Sequence, residues 1–154
     1  MAVHCLSETR QLLLSLRLFR GLAEKDLASL LYHAELLDGA AGDYLIREGE
    51  QGHHLFVLIS GQVQISKRAF GIQKIIQTLG PGECFGEMSL IECRSRSASV
   101  RASVPCKLLR INGEEIDRLP AVAVILYRNI AILLSQRLRS ASDLLALGSV
   151  SKTG

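Results

Sequence analysis

The chain has 154 residues, 48% of them hydrophobic, and a formal net charge of +3 at pH 7. This length can bury one sizeable core but not two of ordinary size, so we expect residues 1–154 to form a single domain. The charge is small, and no block of five or more basic residues occurs, so composition gives no support for a nucleic-acid partner.

The four cysteines, at positions 5, 84, 93 and 106, form neither a CxxC pair nor a spacing typical of metal ligands. Glu8, Arg10 and Arg17 interrupt the N-terminal leucines, which argues against a secretory signal. The longest uninterrupted apolar run, Ala121–Tyr127, ends at Arg128 and is shorter than the roughly 18 to 20 residues of a spanning helix. We therefore expect a cytoplasmic protein with reduced thiols and no membrane partner.

Two leucine-rich segments predict N-terminal helices between residues 7 and 32. Leu12, Leu13 and Leu16 stand near helical spacing, and a second segment over residues 23–32 repeats the pattern with Leu27, Leu30 and Leu31. These short helices are expected to pack their leucines on a larger body.

From residue 34 to about residue 111, glycines punctuate short runs rich in Val, Ile and Leu. Such spacing is typical of an antiparallel sandwich or barrel with a turn every 8 to 12 residues. Residues 62–66 alternate, with Val63 and Ile65 expected to face inwards, and residues 72–79 form the next strand. The predicted fold class is α+β, mainly β: an antiparallel, jelly-roll-like β-roll with N-terminal helices, a short phosphate-binding helix and a long C-terminal helix.

Helices are predicted again over about residues 113–147. Asn112 with Glu115 three residues later resembles a helix cap, and Pro120 can open a second helix that Gly148 would end. Apolar residues of that helix recur at steps of four and three, which is typical of a helix–helix seam. We expect the seam to form a homodimer, and a single thick contact within one chain is the alternative. The seam comprises Tyr127, Ala131, Leu134, Leu138, Ala141 and Leu145.

The segment over residues 82–100 joins a strand to a Gly-Glu step that can open a short helix. The first amides of a helix have no intrahelical partners and attract anions. Arg96 can bind a phosphate through two hydrogen bonds at once. Glu87 would repel that phosphate unless it faced a donor such as a ribose hydroxyl. Phosphate and sugar together indicate a nucleotide.

The same segment resembles the phosphate-binding cassette of the cyclic nucleotide-binding domain family, through Phe85-Gly86-Glu87-Met88-x-Leu90 followed by Arg96-Ser97-Ala98. Spaced glycines at positions 42, 49, 52 and 61 match the family as well. Bacterial catabolite activators, protein kinase A regulatory subunits and nucleotide-gated channels share this domain, and the resemblance covers roughly residues 10–147.

The resemblance implies a non-catalytic sensor of a cyclic nucleotide, cAMP before cGMP, without another cofactor. The family's phosphate contacts fall on Gly86, Glu87, Met88, Ser89, Arg96, Ser97 and Ala98, and Glu87 would also hold the ribose 2′-hydroxyl. Ile65, Ile76 and Met88 would line the base, and Arg137 would pair with Glu87. Ala141 stands where catabolite activators place a base-reading threonine, with Ser142 beside it. No output domain is recognisable, so the downstream target is unknown.

Two other site chemistries use residues of the same chain. His53, His54 and Glu83 resemble part of the metal site of a cupin-like enzyme, although adjacent histidines in a strand point to opposite faces. A haem sensor would need an axial ligand such as His33, Cys84 or Cys93.

Overall fold

The computed structural model describes residues 6–150. Three helical segments open it: α1 (Leu6–Ser15), a 3₁₀ turn (Arg17–Phe19) and α2 (Glu24–Tyr32). Leu13, Leu27 and Leu30 are fully buried as the leucine pattern predicts, but Leu12, which was also expected to pack, is 45% exposed. The N-terminal helices therefore cover the body of the protein, as the pattern indicates.

Eight strands follow, and they form two four-stranded antiparallel sheets. One sheet has the order β1-β8-β3-β6 and the other the order β2-β7-β4-β5. The predicted β-roll is confirmed. Its strands are β1 (Glu35–Gly39), β2 (Tyr44–Ile46), β3 (His54–Ser60), β4 (Val63–Ala69), β5 (Ile72–Leu79), β6 (Cys84–Phe85), β7 (Ser99–Ala102) and β8 (Cys106–Asn112), with helix α3 (Glu87–Glu92) between β6 and β7.

Strand β3 separates two hydrophobic clusters. Leu55 and Val57 belong to the cluster beneath the helices, whereas Phe56 and Leu58 belong to the cluster between the sheets. Successive side chains of a strand point to opposite faces, so a strand covered on both sides reads as one apolar run. This explains why residues 55–58 show no alternation.

Strand β4 departs from simple alternation. Val63 is fully buried and Ile65 packs partly against the inter-sheet cluster, as expected. A register shift in the pairing with β5 then lies between Ile65 and Ser66, and Ser66 is buried, where its Oγ accepts a hydrogen bond from Gln73 Nε2 at 2.6 Å. At this bulge the buried Ser66 hydroxyl thus has a hydrogen-bond partner.

Two helices close the chain: α4 (Gly113–Asp117) and α5 (Pro120–Val150). Asn112 caps α4, with Oδ1 accepting from the Glu114 amide at 3.1 Å, but the expected reach-back acid Glu115 pairs with Arg118 instead. The predicted end of α5 at Leu147 was wrong. A lone glycine costs a helix only about 1 kcal/mol relative to alanine, and α5 continues through Gly148.

The predicted seam of α5 is divided between two environments. Tyr127 and Leu134 pack against the helical core of their own chain, and the Tyr127 hydroxyl donates to Asp117 Oδ1 at 2.7 Å. Burial raises the pKa of the Tyr127 hydroxyl, and the bond to Asp117 adds to this. Beyond Arg137, every side chain described up to residue 148 is exposed. The last third of α5 therefore presents an exposed apolar surface, and Val124 and Ile132 earlier in the helix are exposed as well.

By length and composition, Pro120–Gly148 is also one helix that could cross a membrane, which the search for uninterrupted apolar runs did not anticipate. Helices packed in a protein core pass the same test. Val122, Leu126 and Ile130 of α5 are indeed buried against the rest of the chain.

Candidate functional site

Gly86 turns β6 directly into α3. Its φ of +84° lies in the left-handed region, and a Cβ there would stand 2.8 Å from the His54 carbonyl oxygen and 2.9 Å from Arg96 Nη1. Only glycine fits this position without strain. The turn directs the first amides of α3, which have no intrahelical partners, towards the space beside Arg96.

Arg96 is a buried cation, only 7% exposed. Nη1 donates to the Gly86 carbonyl at 3.1 Å and to Ser89 Oγ at 2.5 Å, and Nη2 donates to the His54 carbonyl at 3.1 Å. All three acceptors are neutral, and none of the ion pairs in the described part of the chain includes Arg96. Burial lowers the pKa of Arg96, and nearby Glu87 opposes that shift. The guanidinium is thus held in place without a counter-charge, as an anion site requires.

The loop between β2 and β3 fixes Arg96 from the other side. The Gly49 amide donates to the Arg96 carbonyl, and the Arg96 amide donates to the Glu50 carbonyl, both at 2.8 Å. Gly52 approaches the guanidinium so closely that a Cβ would lie 2.6 Å from Nε and 2.7 Å from Nη2. The glycines of this loop therefore allow the backbone to turn and also to pack closely against the Arg96 guanidinium.

Glu87 lies almost completely buried beside Arg137 of α5. Glu87 Oε1 accepts from Arg137 Nη1 at 2.5 Å, and Arg137 Nη2 donates to the Cys84 carbonyl at 2.8 Å. The structure thus places these two residues as the resemblance implied. Through this pair, the C-terminal helix is tied to the N-terminus of α3.

A cavity of about 490 Å³ extends from α3 and Arg96 to α5. Each of the predicted site residues lines it except Ser142, which is exposed and lies outside the lining. One step along a helix turns about 100°, so Ser142 points away from the wall to which Ala141 belongs. The residues brought together are Ile65, Ile76, Gly86, Glu87, Met88, Ser89, Arg96, Ser97, Ala98, Arg137 and Ala141.

Leu138 also lines this cavity, although the seam pattern assigned it to a partner chain. Leu134, Leu138 and Ala141 share one face of α5 that borders the site, so the site and the seam overlap. Sequence reasoning also missed Lys67 and Gln77. Lys67 lies beyond the bulge of β4, so strand alternation gave no signal for its place at the cavity.

A larger groove of about 710 Å³ lies between the 3₁₀ turn, β5 and α5. It shares Ile76, Gln77, Arg137 and Ala141 with the cavity. Arg17 of this groove bonds to Gln136, and neither Arg96 nor the N-terminus of α3 takes part. The smaller cavity is therefore the candidate site, because it contains the buried charge.

The residues of the metal and haem alternatives do not converge. Among the described residues, no three His, Cys, Asp or Glu side chains are grouped to hold a metal ion. Glu83 accepts from the Gly80 amide at 2.8 Å, and His33 faces Glu115 at 3.8 Å. Burial lowers the pKa of His54, and burial raises the pKa of the Cys84 thiol to about 12, which disfavours a thiolate ligand at that position.

Residues 39–121 match the family model described as "Cyclic nucleotide-binding domain". This range contains both sheets from the end of β1, together with the cassette.

The chain belongs to the cyclic nucleotide-binding domain family.

The "Cyclic AMP receptor protein" of Thermus thermophilus is 40% identical over 131 residues, which cover 80% of this chain and 58% of that protein. The "cGMP-dependent protein kinase 2" of Mus musculus is 38% identical over 97 residues, 62% of this chain and 13% of the kinase. The crystal structure of the Thermus thermophilus catabolite activator protein matches with a TM-score of 0.71 and 36% identity, covering 86% of this chain and 63% of that one. The chain thus spans less than two thirds of the length of these relatives.

Proposed function

We propose that the cavity binds a 3′,5′-cyclic purine nucleotide without turnover, with cAMP as the first candidate and cGMP as the second. The observation that carries this proposal is Arg96, a buried cation with only neutral partners beside the free amides of α3. A relative that matches 80% of this chain is named for cyclic AMP, and a kinase relative is named for cyclic GMP.

In this proposal the cyclic phosphate lies between the α3 amides and Arg96. Three of the guanidinium's five N–H groups are accounted for, which leaves Nε–H and one N–H of Nη2 as donors. The Ser97 hydroxyl contacts Met88 Sδ at 3.7 Å. Sulfur is a weak acceptor, so this hydroxyl can turn to a phosphate oxygen at little cost.

The ribose would lie against Glu87. Glu87 Oε1 already accepts a hydrogen bond from Arg137, and Glu87 Oε2 remains to accept one from the 2′-hydroxyl. Ile76 and Met88 border the next part of the cavity and are 57% and 44% exposed, so a base placed there would cover apolar surface. Ala141 offers this base no hydrogen bond.

The output would pass through α5. Leu144, Leu145 and Leu147 are 71%, 77% and 69% exposed on its last third, and we propose that this surface forms a homodimer. The same helix contacts Glu87 through Arg137 and borders the cavity through Leu138. Nucleotide occupancy and helix position must then influence each other equally. The protein that receives the signal is a further partner.

Isothermal titration of the protein with cAMP, cGMP and the non-cyclic control 5′-AMP tests the proposal. Saturable binding of a cyclic nucleotide at one site per chain, with 5′-AMP much weaker, is expected. Equal binding of the linear and cyclic forms, or hydrolysis of the cyclic nucleotide during the titration, would overturn it.

A further inference from the structure

One charged side chain that the sequence-based site did not include borders the cavity, namely Lys67 of β4. Ile65 and Lys67 both line the cavity, and the register shift of β4 lies between Ile65 and Ser66. The pairing of β4 with β7 ends at Ser66 and Ser99, so Lys67 lies in the part of β4 that pairs only with β5, opposite Lys74. Lys67 thus stands at the rim of the cavity on the β4–β5 hairpin.

The Lys67 ammonium is available to a ligand. None of the ion pairs among the described residues involves Lys67. The neighbouring cation Arg137 is already committed to Glu87 and the Cys84 carbonyl. Lys67 and Gln77 line the cavity as well, and the structure shows no side-chain hydrogen bond or ion pair for either among the described residues.

The next step rests on the proposed function. A nucleotide with its phosphate at Arg96 and its ribose at Glu87 must place its base in the remaining space between β4, β5 and α5. Ile65, Ile76 and Lys67 all line the cavity. In this arrangement the flexible Lys67 side chain would reach the edge of the base.

We propose that Lys67 is a specificity-determining residue that donates to acceptor atoms on the purine edge and so raises the affinity for guanine relative to adenine. An ammonium has three donors and no acceptor. Guanine presents two adjacent acceptors, O6 and N7, whereas adenine presents N7 beside the N6 amino group, which is itself a donor. A lysine at this edge can therefore donate hydrogen bonds to both O6 and N7 of guanine. With adenine it can donate only to N7, and the N6 amino group beside N7 is a competing donor.

The test measures the dissociation constants of cAMP, cGMP and cIMP by calorimetry for the wild type and for Lys67→Met. The base of cIMP keeps O6 and N7 but lacks the guanine 2-amino group, so it isolates the edge that Lys67 would read. The variant keeps an apolar stem of similar length and removes the charge. Lys74→Met is the matched control, since Lys74 is the cross-strand neighbour on the same hairpin and does not line the cavity.

We expect Lys67→Met to weaken cGMP and cIMP by roughly fivefold or more relative to cAMP, the lower end of the discrimination that such contacts provide. Lys67→Arg should retain the wild-type ratio, and Lys74→Met should change it less than twofold. An equal loss for all three nucleotides would place Lys67 at the phosphate and overturn the inference. An unchanged ratio of the cGMP and cAMP dissociation constants in Lys67→Met would overturn the inference as well. A wild-type protein that binds no cyclic nucleotide would instead reject the proposed function itself.

Discussion

Replacing Gly52 with alanine tests whether the position of Arg96 determines ligand binding. The new Cβ would lie 2.6 Å from Arg96 Nε, whereas ordinary contacts begin at 3.4 Å, so the guanidinium must withdraw by roughly 0.8 Å. Its bonds to the Gly86 and His54 carbonyls are already 3.1 Å long and would be lost. The Nε–H and Nη2 donors intended for the ligand would move with it.

The effect on binding should exceed the effect on stability. A hydrogen bond to a charged group contributes about 1.5 to 3 kcal/mol, so the misplaced guanidinium should lower nucleotide affinity roughly 10- to 100-fold. The buried arginine can relax towards the cavity, and we expect the melting temperature of the unliganded protein to fall by less than about 5 °C. Titration calorimetry measures the first effect, and thermal unfolding followed by circular dichroism measures the second.

Gly80→Ala is the matched control, because a Cβ at Gly80 meets nothing within 4 Å and its φ is not in the left-handed region. This variant should bind like the wild type. If Gly52→Ala also bound within twofold of the wild type, the idea that Arg96 must be held in this position to bind the ligand would be refuted.

Three further substitutions test the other parts of the site. Arg96→Ala should weaken cyclic nucleotide binding roughly 30- to 1,000-fold in calorimetry, whereas exposed Arg94→Ala should change it little; comparable losses would contradict the assigned contact. Glu87→Gln should abolish the preference of about 1 to 2 kcal/mol for a nucleotide with a free 2′-hydroxyl over its 2′-deoxy form, and a wild type without that preference would remove Glu87 from this role. Leu145→Glu should yield monomers in light scattering, since an unpartnered carboxylate in an apolar seam costs several kcal/mol, and should shift nucleotide affinity although residue 145 does not line the cavity. A monomeric wild type would rule out the seam, and a monomerised variant of unchanged affinity would rule out the coupling.

The parts of the fold that depend on local rules were predictable from sequence. Glycine spacing located the turns of the β-roll, and the Gly86-Glu87 step correctly predicted a short helix. The nine-residue separation of Glu87 and Arg96 brought both to one cavity. Such features depend on backbone conformation and on the fixed geometry of helix termini, so neighbouring residues alone specify them.

The parts of the fold and the site that depend on tertiary packing were not predictable from sequence. The heptad pattern of α5 shows that two faces are apolar, but not which face borders the cavity, so the place of Leu138 in the cavity lining was not anticipated. Ser142 was included by register alone, although it lies one residue beyond the cavity wall. Lys67 was missed because a lysine on a strand usually faces solvent, and its position becomes evident only when the β4–β5 hairpin is placed over the site.

The central claim is that a cyclic nucleotide occupies the cavity at the N-terminus of α3. Heteronuclear NMR of isotopically labelled protein during titration with cAMP tests it most directly. We predict saturable shifts of the Glu87, Met88 and Ser89 amides and of the Arg96 Nε–H signal. Shifts confined to the neighbouring groove around Arg17 and Gln136, or no shift at millimolar cAMP and cGMP, would contradict the claim.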